Sequence, residues 1–305
     1  MKRFKLRRYL AYLLIVLLIF SISVGCTEED TPEDTTENGA NPDGADENDN
    51  ETDENKPEDN DEYSIKDLNE QLVMATTWYQ NSAEMRALSY QAFNLAKMVY
   101  DMDLNNNDSD EKRAVIVDVD ETVLDNSPYE AGLIGSDYAY PTGWDDWINS
   151  AEGTALPGSI EFLNYVVENG GDVFYVSNRK IHLLEGTMEN LEKLGFPQVK
   201  EENILLREET SDKGPRREIV DENHRIVLLM GDNLNDFDSA FGDKNIEDRF
   251  EVTDTNKDKF GTKFIVLPNP MYGEWEGALY DYEWGISNEE KSQKRKAPLN
   301  TWIVE

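Results

Sequence analysis

Three short apolar runs of the sequence each end in polar side chains that could act together. The first run leads into Asp118 and Asp120, the second into 177–179 (Ser-Asn-Arg), and a later one into Asp232 and Asp236. Carboxylates gathered in one place repel one another, and a hard cation with oxygen ligands is an economical way to hold them together. Together with a hydroxyl, a cationic side chain and backbone N–H groups, they make up the parts needed for phosphoryl transfer.

These groups can meet only if the apolar runs are neighbouring strands of one sheet. Runs that are typical of buried strands occur at Ala114–Val117, Val173–Val176, Ile204–Leu206, Ile226–Met230 and Phe264–Leu267. Segments of helical length separate them, such as Ser159–Asn169 and Leu183–Leu194. This alternation predicts an α/β fold with a parallel sheet that is covered by helices on both faces. In such a sheet a ligand binds beyond the carboxyl ends of the strands.

The folded part is predicted to begin near Tyr63 with a helix. Apolar residues from Leu68 to Tyr100 recur in steps of three and four. This spacing predicts one long amphipathic helix without a break.

Composition excludes several classes of protein. The net charge of −35 argues against a nucleic-acid binder, because binding to phosphate backbones needs a surplus of cations. A single cysteine allows neither an internal disulfide nor a thiolate zinc site. With His182 and His224 as the two histidines, a histidine-rich metal cluster is excluded, and we interpret both as surface or packing residues.

The N-terminal residues are typical of export. Residues 1–26 combine a basic start with the apolar run Tyr9–Val24 and end at Cys26, the pattern of a bacterial lipoprotein signal whose cysteine is acylated. The alternative is an uncleaved membrane anchor helix. Either interpretation places the domain outside the membrane. We expect an extracytoplasmic protein that is lipid-anchored to a bacterial membrane.

A disordered acidic tether is predicted for residues 27–62. This segment has 17 acidic residues against Lys56 and no large apolar side chain, so it cannot bury enough surface to offset the entropy of ordering. Calcium capture by the acidic run is the alternative, although the acids lack the spacing of a loop site. Residues 63–305 then form one α/β domain.

Five segments, in order, resemble a known family. They are 91–96 (QAFNLA), 118–129 (DVDETVLDNSPY), 174–179 (FYVSNR), 231–234 (GDNL) and 269–273 (NPMYG). Together they resemble the haloacid-dehalogenase (HAD) superfamily. More narrowly, they resemble the class C acid phosphatases, the bacterial surface 5′-nucleotidases of the lipoprotein e (P4) type. The resemblance implies a HAD-like Rossmannoid sheet with a small α-helical subdomain, and a possible homodimer.

The resemblance also implies a mechanism. Asp118 would attack phosphorus and form an aspartyl-phosphate. Asp120 would protonate the leaving group, later activate water as a base, and bind metal through its backbone carbonyl. Asp232 would hold Mg²⁺ together with Asp118, and Asp236 would be a further ligand or would support the ligands. Ser177 and the N–H groups around it would bind phosphate oxygens.

A cation is still needed to balance the charge of the transferring group. Order and spacing favour Lys213, and Lys180 is the competing candidate. Asn178 and Arg179 are predicted to contact substrate, and a structural or ion-paired role is the alternative for Arg179.

Aromatic residues in loop-like segments point to the leaving group. The resemblance implies that Trp144 and Tyr272 sandwich a nucleobase, and packing between the sheet and a helical cap is the alternative. Trp147 and Trp275 are predicted to be core residues.

Two functions therefore stay open. The first is a membrane-tethered, Mg²⁺-dependent phosphomonoesterase that acts on 5′-nucleotides or aryl phosphates. The second is a non-catalytic surface lipoprotein that binds a ligand or calcium. A calcium loop starting at Asp118 is disfavoured, because Val123 and Tyr129 stand where such a loop has glycine and glutamate.

Overall fold

The computed structural model describes residues 63–107 and 109–303. The predicted signal (1–26), with its Cys26, and the predicted tether (27–62) lie outside the described residues. Within the described part of the chain, no helix has both the length and the apolar character needed to cross a membrane.

A five-stranded parallel sheet forms the centre of the fold, in the order β5-β4-β1-β6-β7. A short antiparallel pair, β2 and β3, follows the first strand. The strands are β1 Arg113–Val117, β2 Leu124–Asp125, β3 Thr154–Ala155, β4 Asp172–Lys180, β5 Ile204–Arg207, β6 Arg225–Gly231 and β7 Phe264–Val266. The parallel sheet predicted from the five apolar runs is therefore confirmed.

Helices cover the sheet and form a separate helical layer. They are α1 Ile65–Asn69, α2 Val73–Asn81, α3 Ala83–Asn106, α4 Ser127–Leu133, α5 Trp144–Ser150, α6 Ser159–Glu168, α7 Leu184–Leu194, α8 Gly214–Asp221, α9 Ile246–Thr255, α10 Glu274–Leu279 and α11 Asn288–Lys296.

Both faces of the sheet are buried, as its strand pattern requires. Val115 and Val117 of β1 belong to a large apolar core shared with α3, α6 and α7. Ala114 and Ile116 point to the opposite face, in a smaller core with Val220 of α8. The predicted cover of helices on both faces is confirmed.

The prediction of one unbroken N-terminal helix is wrong. A 3₁₀ turn at Glu70–Leu72 follows α1, and α2 ends at Asn81. Ser82 then adopts an extended conformation, and its hydroxyl accepts the backbone N–H of Met85 at 3.0 Å. A serine that caps a helix in this way competes with continuation of the preceding one. The apolar spacing continues across the break, so periodicity alone could not reveal it.

The first two helices join a small helical subdomain. Here α2 contacts α4, α1 contacts α11, and α10 contacts α11. A third apolar cluster, separate from the two sheet cores, lies in the region of α4 and α5 and consists of Tyr129, Leu133, Trp144, Ile148 and Leu183. The α-helical subdomain expected from the resemblance is present.

The strand register brings the polar strand ends to one edge. Val117 pairs with Tyr175 of β4 and with Met230 of β6. The N–H of Asp118 continues the ladder by donating to the carbonyl of Met230 at 2.9 Å. The residues after β1 and β6 and the last residues of β4 therefore meet at the carboxyl edge, as the sequence predicted. Strand β4 continues to Lys180, so 177–179 belong to the strand itself, whereas the sequence predicted that this strand ends at Val176.

Candidate active site

Three carboxylates meet at this edge of the sheet. One oxygen from each of Asp118, Asp232 and Asp236 lies within 4.8 Å of the others. Asp118 is buried, and Asp232 accepts hydrogen bonds from Thr122 at 3.4 Å and from Asn269 at 2.9 Å. A cluster of oxygen donors with this spacing fits a hard divalent cation. The backbone carbonyl of Asp120 stays a predicted additional ligand.

A buried lysine completes the cluster. The ammonium group of Lys213 contacts the carboxylate of Asp118 and lies 2.6 Å from Oδ1 of Asp236. Lys213 immediately precedes α8, and its side chain is almost fully enclosed. Lys180 is exposed. Of the two candidate cations, the structure brings Lys213 to the carboxylates.

The cluster carries more negative than positive charge in a buried place. Burial raises the pKa of Asp118 well above its usual range, although Lys213 opposes the shift. Burial, reinforced by Asp236, raises the pKa of Asp232 to about 7. Burial alone would lower the pKa of Lys213, but the carboxylates of Asp118 and Asp236 outweigh it and raise that pKa. A divalent cation would relieve this imbalance.

A hydrogen bond and tight packing against Gly231 fix the side chain of Asp236. Its Oδ2 accepts the N–H of Asn233 at 3.0 Å, which closes the turn after β6. A Cβ atom at Gly231 would lie 2.2 Å from Oδ2 of Asp236, so only glycine fits at the end of β6.

Asp120 is held by several donors. Arg179 approaches its Oδ1 with Nε at 2.9 Å and Nη2 at 2.8 Å, and Asn126 donates to the same oxygen at 2.8 Å. The Ser177 hydroxyl donates to Oδ2 at 3.1 Å. Arg179 is only 3% exposed and also donates to Thr187. Its guanidinium is thus ion-paired with Asp120, the alternative that the sequence left open beside substrate contact.

The segment around Ser177 is fixed from both sides. The Ser177 hydroxyl is buried and accepts the N–H of Arg179 at 3.0 Å. Asn178 is exposed, and its side-chain Oδ1 accepts from Arg216 at 2.7 Å. Arg216 also donates to the Ser177 carbonyl at 2.6 Å. Sequence reasoning missed Arg216 and Asn126; Asn126 stands inside the 118–129 motif, which was the available signal.

The carboxylate cluster opens into a cavity of about 440 Å³. Trp144 and Tyr272 both line it, together with Asn178 and Arg179. Trp144 is buried and packs edge-on against Tyr129, with ring centroids 5.0 Å apart. The two predicted aromatic residues therefore reach the cavity, and Trp144 packs in the helical subdomain as well.

The two tryptophans that were predicted to be core residues differ in their exposure. Trp147 is half-buried and donates from its indole N–H to Asn126 at 2.9 Å. Trp275 is 45% exposed, so its prediction as a core residue is wrong. It lies in the first turn of α10, and its indole N–H donates to the Tyr272 carbonyl at 3.1 Å, which leaves the ring at the surface.

Neither histidine contacts the cluster. His182 lies 2.8 Å from the Asp145 carboxylate at the surface. His224 lies 2.8 Å from Asp172, which is at the amino end of β4. Both positions agree with surface or packing roles.

Comparisons with known proteins agree on one family. A family model described as HAD superfamily, subfamily IIIB (acid phosphatase) matches residues 51–275. The structure of the class C acid phosphatase from Bacillus anthracis is similar, with a TM-score of 0.75 and 47% identity; the match covers 77% of this chain and 99% of that one. A structure of that acid phosphatase with tungstate bound matches equally well.

Two plant proteins are also related. The stem 31 kDa glycoprotein of Glycine max is 29% identical over 220 residues, which are 68% of this chain and 77% of the relative. Acid phosphatase 1 of Solanum lycopersicum is 31% identical over 166 residues, which are 52% of this chain and 57% of the relative.

The raised pKa values predict a pH-dependent response to divalent cations. Between pH 3.8, the ordinary pKa of an aspartate, and about 7, folded Asp232 keeps a proton that the unfolded chain releases. The contribution of Asp232 to stability is therefore present at low pH and lost as pH rises through about 7. Mg²⁺, which binds the ionised form, should raise the melting temperature more at pH 8 than at pH 5.

Melting curves of EDTA-treated protein with and without Mg²⁺ check this. Asp232→Asn should remove most of the Mg²⁺ response. Asp238→Asn is the matched control, since Asp238 caps the turn at Ser239–Phe241 and asparagine can do the same. An undiminished Mg²⁺ response in Asp232→Asn would contradict the assignment of the cation to this cluster.

Proposed function

The chain belongs to the acid phosphatases of HAD superfamily subfamily IIIB, and from that membership we propose a metal-dependent phosphomonoesterase that forms an aspartyl-phosphate. The observation that carries the proposal is the placement of Asp118 at the sheet edge. It contacts a buried lysine, lies beside two further carboxylates and precedes Asp120 by two residues, at the wall of a cavity.

In the first step, a carboxylate oxygen of Asp118 attacks phosphorus. An oxygen–phosphorus bond forms to Asp118 as the bond to the leaving oxygen breaks, and Asp120 gives its proton to that oxygen. Lys213 lies beside the nucleophile and offsets the negative charge of the incoming group. A divalent cation held by Asp118 and Asp232 would supply further compensation of phosphoryl charge.

In the second step, water hydrolyses the aspartyl-phosphate. Asp120 takes a proton from the water, whose oxygen attacks phosphorus, and the bond to Asp118 breaks to release inorganic phosphate. Both steps need the Asp120 carboxyl in one place. Arg179, Asn126 and Ser177 hold it there.

Nucleoside 5′-monophosphates or aryl phosphates are the substrates that the cavity favours. Trp144 and Tyr272 line the space next to the cluster, and flat rings suit a stacked base or aryl leaving group. The acid phosphatase from Bacillus anthracis has been solved with tungstate, a tetrahedral oxyanion that resembles phosphate. That structure supports an anion site in the same family.

We further propose that the enzyme acts outside the cytoplasm and is attached to a membrane by a lipid anchor. The support is the sequence pattern of residues 1–26, which ends at Cys26, and the long acidic segment that follows it. A flexible chain has an end-to-end distance of about 5–6 Å times the square root of its residue number. A flexible tether over residues 27–62 would therefore reach roughly 30–36 Å.

Substitution of the two motif aspartates tests the covalent scheme. Asp118→Asn should abolish phosphate release from p-nitrophenyl phosphate and 5′-AMP, because an amide is not a competent nucleophile. Asp120→Asn should lose about 10²–10⁴-fold in kcat.

EDTA should inactivate the wild type reversibly. Asp238→Asn is the control, and a beryllofluoride adduct anywhere other than Asp118 would contradict the scheme. Absence of turnover in the wild type would favour a ligand-binding lipoprotein instead.

Replacement of Arg179 tests its role in positioning Asp120. Arg179→Lys keeps the charge but cannot present two nitrogens to one oxygen, so kcat should fall about 10–100-fold. KM should change little, because the guanidinium is engaged with Asp120. Lys180→Met, at the exposed neighbour, is the control and should match the wild type. A rise in KM with unchanged kcat would instead assign Arg179 to substrate binding.

Labelling tests the anchor. The full-length chain, expressed in a bacterium fed radiolabelled palmitate, should incorporate the label and sediment with membranes, and Cys26→Ser should abolish incorporation. Thr52→Ala, in the predicted tether, is the control. Unchanged labelling of Cys26→Ser would exclude acylation at this residue.

A further inference from the structure

One carboxylate in the wall of the cavity has no part in the proposed mechanism. Glu130 lies in α4, is 7% exposed, and lines the same cavity as Asp118. Across residues 63–107 and 109–303, no group donates a hydrogen bond to its carboxylate and no cation pairs with it. The charged group that acts on it is another carboxylate, Glu276, and burial together with Glu276 raises the pKa of Glu130 to about 7.

Two polar side chains that line the cavity with Glu130 are already engaged. Glu276 accepts from the Tyr280 hydroxyl at 2.6 Å and is ion-paired with Arg295. The amide nitrogen of Asn69 donates to two carbonyls, at 2.9 and 3.2 Å. The cavity lining also includes the apolar side chains of Ile65, Leu68, Leu72 and Leu133 and the cation Lys291, which is not among the charged groups that act on Glu130. The carboxylate of Glu130 is thus a free acceptor in a cavity whose lining is largely apolar.

An unpaired carboxyl in such a place is costly for folding. An apolar side chain of similar size would fit the wall without that cost. The unpaired carboxylate becomes favourable when a ligand donates a hydrogen bond to it. A pocket with such a carboxylate rejects ligand analogues that lack the donor group.

We propose that Glu130 accepts a hydrogen bond from an N–H or O–H donor on the leaving group and thereby selects among phosphomonoesters. This inference rests on the proposed function, since the leaving group is that of the proposed substrate. Two sources share the chemistry: the amino group of a nucleobase and the 2′-hydroxyl of the ribose. Glu130 is then a specificity residue, and the bond-making steps stay with Asp118 and Asp120.

Paired substrates test the proposal. The first pair is 5′-AMP and purine riboside 5′-monophosphate, which lacks the amino group. The second is 5′-AMP and its 2′-deoxy analogue. In the wild type, kcat/KM should favour 5′-AMP about 10–100-fold within one pair, and that pair identifies the donor. In Glu130→Leu the preference should fall to about 3-fold or less.

Two further variants separate recognition from folding. Glu130→Gln keeps one acceptor oxygen and should retain part of the preference. Glu283→Leu replaces an exposed carboxylate that does not line the cavity and should leave the ratios unchanged. Glu130→Leu should also raise the melting temperature of the substrate-free protein by about 2–4 °C, because the unpaired carboxyl is gone. A structural role for Glu130 predicts a lower melting temperature.

The outcomes distinguish this inference from the proposed function. Equal preference ratios in the wild type and Glu130→Leu, with good turnover in both, overturn the role of Glu130 alone. Absence of turnover on every phosphomonoester overturns the proposed function. In that case calorimetric binding of adenosine, 2′-deoxyadenosine and purine riboside decides the role of Glu130. Equal loss of affinity for all three in Glu130→Leu would overturn it.

Discussion

The excess of buried negative charge at the carboxyl edge of the sheet is the interaction on which the rest of the site depends. Three carboxylates face one ammonium group in a place that water reaches poorly. Burial and mutual repulsion raise the pKa of Asp118 and Asp232, while Lys213 keeps its proton. The proposed divalent cation would balance this charge. A phosphoryl anion would then meet positive charge that is already oriented, with little rearrangement to offset.

The three carboxylates can stay this close together only on a rigid scaffold, which the sheet provides. The ladder between β1 and β6 runs into Asp118 itself, through its hydrogen bond to Met230. Lys213 enters from the start of α8, and Asp236 from a tight turn that requires Gly231. Hydrogen bonds and close contacts therefore oppose the repulsion that would otherwise spread the carboxylates.

Features set by local pattern could be predicted from the sequence. The five strands follow from short apolar runs, and their polar ends follow from the way parallel strands share an edge. Lys213 follows from its order in the chain. The break at Ser82 could not be predicted, because the apolar spacing continues through it. The exposure of Trp275 could not be predicted either, because composition says little about whether a single tryptophan is buried. The partner of Arg179 lies 59 residues away, so only the folded chain reveals it.

Helix α4 links the chemistry to the recognition of the leaving group. Asn126, at its N-terminus, donates to Asp120 and accepts from Trp147, while its N–H donates to Glu121 at 2.8 Å. Glu130 follows within the first turn of the same helix, at the cavity wall. These hydrogen bonds attach the N-terminus of the helix to the residues that follow β1. Because a displacement of about 1 Å can cost roughly 100-fold in rate, a leaving group bound by Glu130 would be aligned with the acid that protonates it.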